Sequence, residues 1–144
     1  MRGYSCIGLY YPQNKINVGS VMRAAYCFKC ASVFIEGKKF EKSLSDTPQA
    51  YRHIPVITGI IKDLIPYDCV PIGVEIVSQA RPLMNYVHPE RALYIFGPEN
   101  GFLGKKVLDY CRDVIYIPTQ TCLNLANCVN IVLYDRLTKS KWDL

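Results

Sequence analysis

The sequence contains no long hydrophobic run, and this absence argues against a membrane-spanning helix. No window reaches the roughly 18 consecutive apolar residues that a bilayer span requires, and the amino terminus leads straight into a strand-like pattern without signal-peptide architecture. Internal repeats, low-complexity tracts and linker-like stretches are absent as well. Half of the 144 residues are hydrophobic, which is enough for one sizeable core. We therefore expect a soluble, cytoplasmic protein with a single domain over residues 1–144.

Histidine is scarce, and the cysteines are not arranged for metal binding. The two histidines, His53 and His88, stand far from Cys27 and Cys30, the one closely spaced cysteine pair, and no second pair accompanies it. The seven cysteines are odd in number and lie mostly in apolar runs. This pattern favours buried thiols in a reducing compartment over a disulfide framework. We expect no metal site.

Positive charge is in moderate excess. Seventeen Lys and Arg against twelve Asp and Glu give a formal net charge of +5, which favours a polyanionic partner without identifying one. The basic residues are scattered, with small clusters at 38–39, 105–106 and 136–141. Most clusters of this kind are solvated faces.

Strand-like and helix-like segments alternate along the chain. Runs rich in β-branched and aromatic residues occur at 5–11, 32–36, 71–76, 92–96 and 114–117. The first helix is predicted to begin near Ser20, with Arg23 in its first turn, and the last to span residues 123–139. Between 38 and 66 the weaker pattern suggests a helix start at 46–48, a short strand in 53–58 and a helix at 59–64. Alternation with strands apolar on both faces predicts an α/β fold, a mostly parallel sheet flanked by helices.

Three loops that follow strand-like runs have the polar or glycine-rich composition of ligand sites, which in parallel sheets gather at the carboxyl ends of strands. They are residues 12–20, 96–102 and 117–127. Each alone is also explained by turn formation or helix capping. The second loop, in which Gly97 and Gly101 bracket Glu99, is neither a dinucleotide fingerprint nor a P-loop, which disfavours a nucleotide triphosphatase.

Together the three loops resemble the motifs of the TrmH-like ribose methyltransferases of the SPOUT class, over nearly the whole chain. Asn17, Gly19, Ser20 and Arg23 resemble the first motif. Residues 96–101 are similar to the second motif, and 117–118 with 123–127 to the third. The short length is similar to that of the minimal branch, which includes wobble-position tRNA methyltransferases.

This resemblance implies more than the residues alone can show. It implies a sheet whose C-terminal part is threaded into a trefoil knot, a homodimer, S-adenosyl-L-methionine as cofactor, and RNA as substrate, with tRNA favoured over rRNA. Methyl transfer to a ribose 2′-hydroxyl would be centred on Arg23, with Asn17, Glu99 and Asn124 shaping the site. The implied cofactor-binding residues are Val74, Glu75, Gly97, Glu99, Gly101, Ile117, Cys122 and Leu125. Since a guanidinium is a poor base at neutral pH, Arg23 would stabilise the developing alkoxide or orient a substrate phosphate.

Three departures from the family pattern lie in the third motif and leave alternatives open. Cys122 and Ala126 stand where many relatives carry Ser, and the loop 118–122 is short. A second hypothesis is therefore a catalytically weak or inactive knotted RNA-binding or assembly protein that keeps cofactor binding. A third is a small-molecule α/β enzyme of flavodoxin-like shape, although Asn17, Gly19 and Ser20 make a poor phosphate loop after the first strand.

Overall fold

A seven-stranded sheet, parallel at every pairing, forms the centre of the molecule. The computed structural model describes residues 3–140. The strands are β1 Tyr4–Tyr10, β2 Ser32–Glu36, β3 Val56–Thr58, β4 Val70–Val74, β5 Arg81–Pro82, β6 Arg91–Phe96 and β7 Asp113–Tyr116. The helices are α1 Lys15–Cys27, α2 Ile61–Leu64, α3 Gly104–Leu108 and α4 Leu125–Lys139, with single 3₁₀ turns at Ala50–Arg52 and Leu83–Asn85. The predicted α/β class is confirmed, whereas the trefoil knot stays a prediction.

The order of strands across the sheet brings distant loops together. The order is β3-β2-β1-β6-β4-β7-β5, so β1 pairs with β2 on one side and with β6 on the other. The chain builds outward from β1 to β3 and then returns to the opposite side, which places a topological switch point between β1 and β6. Crevices at such points are where open α/β sheets bind ligands.

Helices cover both faces of the sheet. Side chains along each strand therefore alternate between two hydrophobic cores. Ile7 and Leu9 of β1 pack under α1 and α4, together with Val21, Val129 and Leu133. Cys6, on the opposite face, packs with Ile61, Val107 and other side chains at α2 and α3. Two buried faces explain why these strands read as nearly continuous apolar runs.

The predicted start of the first helix is wrong. Helix α1 begins at Lys15 instead of near Ser20, because the side chain of Asn14 caps it by accepting a hydrogen bond from the backbone N–H of Ile16 at 2.8 Å. Arg23 consequently lies in the third turn and not in the first. The helix start predicted at 46–48 leads only to the 3₁₀ turn Ala50–Arg52, where buried Asp46 accepts the backbone N–H of Ala50 at 2.9 Å.

The other sequence predictions lie close to the observed elements. The predicted strand 32–36 is confirmed without change, and the strands predicted at 5–11, 71–76, 92–96 and 114–117 agree within one or two residues at each end. The short strand predicted in 53–58 is observed only at Val56–Thr58. The two-residue strand β5 was not predicted. All seven cysteines are free thiols: three are buried, two partly buried, and Cys27 and Cys122 exposed. Among the described residues no helix has the length and hydropathy to span a bilayer.

A buried polar network fastens α4 to the segment that precedes β6. Arg136, only 8% exposed, donates hydrogen bonds to the carbonyl oxygens of Pro89 and Glu90, both at 2.7 Å. Lys139 donates to the carbonyls of Leu83 and Tyr86. These two residues of the 136–141 basic cluster therefore serve the fold and are not a solvated face, while Lys141 lies outside the described residues.

Candidate active site

Glu99, in the loop after β6, binds directly to the start of α1. Its Oε1 accepts the backbone N–H of Gln13, and its Oε2 accepts the backbone N–H of Asn14 and the Nδ2 of Asn17, each at 3.0 Å. Partial burial alone would raise the pKa of this carboxyl, but the hydrogen bonds outweigh it and hold the pKa of Glu99 below its ordinary value. Glu99 is thus a fixed negative charge at the switch point, with both oxygens already engaged.

The hydrogen bonding continues from Asn17 to the start of α4. Asn124 donates from Nδ2 to the Oδ1 of Asn17 at 3.1 Å, and its own Oδ1 caps α4 by accepting the backbone N–H of Ala126 at 2.9 Å. An ionised carboxylate only accepts, so the orientation of both amides follows from Glu99. We call Glu99, Asn17 and Asn124 the polar chain. It joins one residue from each of the three predicted motifs.

A cleft beside the polar chain gathers every residue that the family resemblance implies for the cofactor. It is formed at the carboxyl ends of β4, β6 and β7 and at the start of α4. The predicted residues that line it are Val74, Glu75, Gly97, Glu99, Gly101, Ile117, Cys122 and Leu125. Sequence reasoning missed further lining residues, namely Ile76, Phe96, Pro98, Tyr116, Thr119, Leu123 and Cys128. Most of the missed residues adjoin predicted ones, so extending each predicted set along the end of its strand would have found them.

Glu75 and Gly97 fix the wall of this cleft. The carboxylate of Glu75 accepts the backbone N–H of Leu103 at 3.0 Å and that of Ile76 at 2.9 Å, which ties the loop after β6 to the end of β4. A Cβ added to Gly97 would stand 3.1 Å from the backbone nitrogen of Leu103, closer than most real contacts. Glycine at this position therefore lets the loop fold back tightly over the strand ends.

Arg23 is the one predicted catalytic residue that the fold does not bring to the polar chain. It is exposed on α1 and lines neither the cleft nor the polar cavity beside Glu99, and its side chain makes no hydrogen bond or ion pair within residues 3–140. Asn17 and Arg23 are separated by about 9 Å along the helix axis and ~240° around it, so their side chains leave α1 in different directions. Arg23 therefore stands apart from the polar chain.

Metal chemistry finds no support in this arrangement. Within residues 3–140, no group of three or more His, Cys, Asp or Glu side chains is placed to hold a metal ion. Cys27 is exposed whereas Cys30 is buried, and burial raises the pKa of the Cys30 thiol to about 12. A thiol of that kind resists forming the thiolate that binds zinc.

Comparison with known proteins identifies the family. The sequence matches the SpoU rRNA Methylase family over residues 5–134, and the chain belongs to this family. No curated protein matches it significantly. The family membership confirms the resemblance drawn from the three motifs.

Solved structures share the fold at low sequence identity. The SpoU methyltransferase AviRb from Streptomyces viridochromogenes, in complex with AdoMet, superposes with a TM-score of 0.84 at 17% identity. This match covers 96% of the present chain but 58% of AviRb, so the chain spans less than two thirds of that relative. A TrmH/SpoU tRNA-modifying enzyme from A. aeolicus gives a TM-score of 0.84 at 12% identity, over 95% of this chain and 75% of that one.

One similar structure is of nearly the same length. A protein studied for 2-OH methylation of C/U34 on tRNA superposes with a TM-score of 0.79 at 19% identity, covering 97% of this chain and 98% of the other. At these identities the likeness shows a common fold.

Proposed function

We propose that this protein transfers a methyl group from S-adenosyl-L-methionine to a ribose 2′-hydroxyl of RNA, with tRNA favoured over rRNA. The observation that carries the proposal is the polar chain, which joins the three motif segments beside the cleft. Family membership and the AdoMet complex of AviRb support the cofactor. The tRNA studied with the similar structure of equal length supports the substrate class.

The cleft fits the chemistry of this cofactor. Apolar side chains at Phe96, Ile117 and Leu125 suit the flat adenine, and Gly97 exposes backbone to the ligand's polar edges. Glu75 and Glu99 provide negative charge toward a sulfonium cation. The cofactor, when bound, supplies the methyl group in an activated form. The protein's own contribution is to hold donor and acceptor in line and to keep the polar chain fixed beside them.

Glu99 acts as a positioning residue and not as a general base. Both of its oxygens accept hydrogen bonds from the chain itself, and its lowered pKa makes it a weak proton acceptor. The 2′-hydroxyl proton would instead pass to a substrate phosphate that Arg23 orients, or it would pass to water while Arg23 stabilises the developing alkoxide. The polar chain then fixes the geometry in which this transfer occurs.

A second copy of the chain would complete the site. The outward faces of α1 and α4, which pack side by side, expose large apolar side chains: Ile16 at 59%, Ile131 at 39% and Tyr134 at 54%. Arg23 lies seven residues after Ile16, on the same helical stripe. We infer a homodimer that buries this face, in which Arg23 of one protomer enters the cleft region of its partner.

Calorimetry and methyl transfer test the main proposal. The purified protein is titrated with S-adenosyl-L-methionine and its demethylated product, then assayed on bulk tRNA and bulk rRNA for alkali-resistant ribose methylation. Micromolar cofactor binding with methylation of tRNA is the expected result. Cofactor binding without transfer to either RNA would favour the assembly-protein alternative, and absence of binding would overturn the proposal.

Mixing two inactive variants tests the shared site. Arg23→Lys is expected to abolish turnover but spare cofactor binding, with exposed Arg52→Lys as the matched control. If Arg23 acts across the dimer, mixing Arg23→Lys with Asn124→Ala restores about a quarter of wild-type activity, because half of the dimers are mixed and each has one intact site. If mixing restores nothing although subunits exchange, Arg23 does not act in the partner. A monomer in sedimentation would likewise contradict the homodimer, and Tyr134→Asp is expected to produce one.

A further inference from the structure

A second, polar cavity meets the cofactor cleft at Glu99. Glu99 is the one residue that lines both. The cavity has a volume of about 660 Å³, within the range of small-molecule sites. It is lined by Gln13, Asn14, Lys15, Ile16, Asn17, Lys38, Glu41, Glu99 and Asn100. Its polar lining contrasts with the more apolar cleft, so the two spaces suit different ligands.

Two amide side chains in this cavity form a hydrogen-bonded pair that the polar chain does not include. Asn100 donates from Nδ2 to the Oε1 of Gln13 at 3.0 Å. Within residues 3–140 this is the only hydrogen bond that either side chain makes. The Nε2 of Gln13 and the Oδ1 of Asn100 therefore remain as a donor and an acceptor close together. A nucleobase edge presents the complementary pattern, and Asn and Gln commonly pair with such edges.

Two lysines accompany the amide pair, and the carboxylates of Glu41 and Glu99 also line the cavity. Lys38 lies on the cavity wall, where its Nζ donates to the carbonyl oxygen of Gln13 at 2.9 Å and keeps two further protons. Lys15 also lines the cavity and makes no ion pair within the described chain. Lys39 lies beside Lys38 along an adjoining small cavity. Exposed ammonium groups of this kind bind phosphates and orient a nucleic acid without reading its sequence.

We propose that this cavity receives the target nucleotide of the RNA, with Gln13 and Asn100 contacting its base and Lys15 and Lys38 its flanking phosphate. The inference rests on the proposed function. In-line transfer requires the acceptor oxygen to lie about 3–3.5 Å from the methyl carbon. A ribose at the junction by Glu99 would lie at the edge of the cleft, and its base could then occupy the cavity that holds the amide pair.

Amide substitutions test the base contact. Gln13→Ala and Asn100→Ala are expected to lower kcat/KM on bulk tRNA by at least about fivefold, while the Kd for S-adenosyl-L-methionine stays at the wild-type value. Gln13→Glu keeps the bond from Asn100 but loses the free donor. It should therefore also shift the ratio of 2′-O-methylated nucleosides, measured by mass spectrometry after digestion, away from bases that need that donor. Gln79→Ala, an exposed amide that lines neither cavity, is the matched control.

The outcomes separate this inference from the proposed function. Unchanged cofactor binding shows that the variants remain folded. If the wild-type protein methylates RNA and all three variants keep its kcat/KM and its nucleoside ratio, the base contact is overturned while the proposed function stands. A wild-type protein that binds no cofactor and methylates no RNA overturns both proposals. Equal losses in Gln79→Ala and the cavity variants would also overturn the base contact.

Discussion

Asn17 donates a hydrogen bond to Glu99 across 82 residues of sequence, with 3.0 Å between Nδ2 and Oε2. This bond joins α1, which follows the first strand, to the loop after β6. Because β1 and β6 are parallel neighbours in the sheet, the segments that follow them lie side by side at its carboxyl edge, and the two residues meet there. The relationship makes the second motif a structural support of the first.

Glu99→Gln should weaken both the fold and the reaction. An amide has one oxygen, so its nitrogen would face a backbone N–H of Gln13 or Asn14 and leave that donor unsatisfied. We expect a loss of about 1–3 kcal/mol in the free energy of unfolding, measured in urea, together with loss of turnover. Exposed Glu41→Gln is the control for stability. Equal stability of the two variants would contradict the role assigned to Glu99.

Two substitutions at Asn124 separate helix capping from site geometry. Asn124→Ser keeps an N-cap oxygen but loses the bond to Asn17, so stability should stay near wild type while turnover falls. Asn124→Ala loses the cap as well and should cost a further 0.5–2 kcal/mol or so. Urea unfolding and methyl transfer on the same preparations measure the two effects. If the Ser variant retained full activity, the link from Asn124 to Asn17 would be irrelevant to the reaction.

Gly19→Ala should destabilise the protein although alanine favours a helix by about 1 kcal/mol. A Cβ at this position would collide with the Oγ of Ser45 and stand 2.8 Å from the Cβ of Ser43. Ser45 also donates to the carbonyl oxygen of Ile16 at 2.6 Å, so the collision displaces a loop that is bonded to α1. The expected result is a lower midpoint of thermal unfolding. Adding Ser45→Gly should recover part of the loss, and failure of that rescue would refute the steric explanation.

Stability should fall as the pH drops below about 6.5, because of His88. Its imidazole bonds to the hydroxyl of Tyr94 at 2.6 Å and to the carboxylate of Asp135 at 2.7 Å, with a side chain only 2% exposed. Burial lowers the pKa of His88 below the ordinary 6.5 although Asp135 opposes the shift. The unfolded chain therefore takes up a proton first, and stability present above pH 6.5 is lost as the pH falls toward the folded pKa.

The pH dependence is measured as the free energy of unfolding between pH 8 and 5. His88→Gln should flatten the decline in this interval, at the cost of lower stability at pH 8. His53, exposed and stacked on Tyr26 at 4.9 Å, provides the control, and His53→Gln should keep the wild-type slope. An unchanged slope in His88→Gln would show that another group causes the decline.

Sequence patterns predicted the central strands well because burial on both faces gives each of them a short, continuous apolar run. β2 was predicted without error, since apolar side chains fill both of its faces. The start of α1 was predicted wrongly, because a glycine such as Gly19 usually indicates a turn. Here the glycine is needed because Ser43 and Ser45, from a distant segment, pack against it. Both Asn14 and Ser20 are residue types that cap helices, and the structure shows that Asn14 caps α1.

The sequence named the residues of the candidate site but did not predict the hydrogen bonds that join them. The motif resemblance named Asn17, Glu99 and Asn124 together, yet nothing in the sequence indicated that two backbone N–H groups would occupy the carboxylate of Glu99. The position of Arg23 away from the polar chain was equally hidden, because it follows from where α1 begins. Arg136 belonged to an apparent surface cluster, and its burial depends on carbonyl groups 46 and 47 residues away.

The bond between Asn124 and Asn17 spans 107 residues, and this span has a consequence for the protein during its synthesis. Strand β1 leaves the ribosome before its partner β6 and before the residue that caps α4. Contacts between such distant segments form slowly, since the intervening chain must first be ordered. A nascent chain that ends before α4 therefore holds the first motif without the groups that orient it, and the polar chain forms only after the start of α4 has been synthesised.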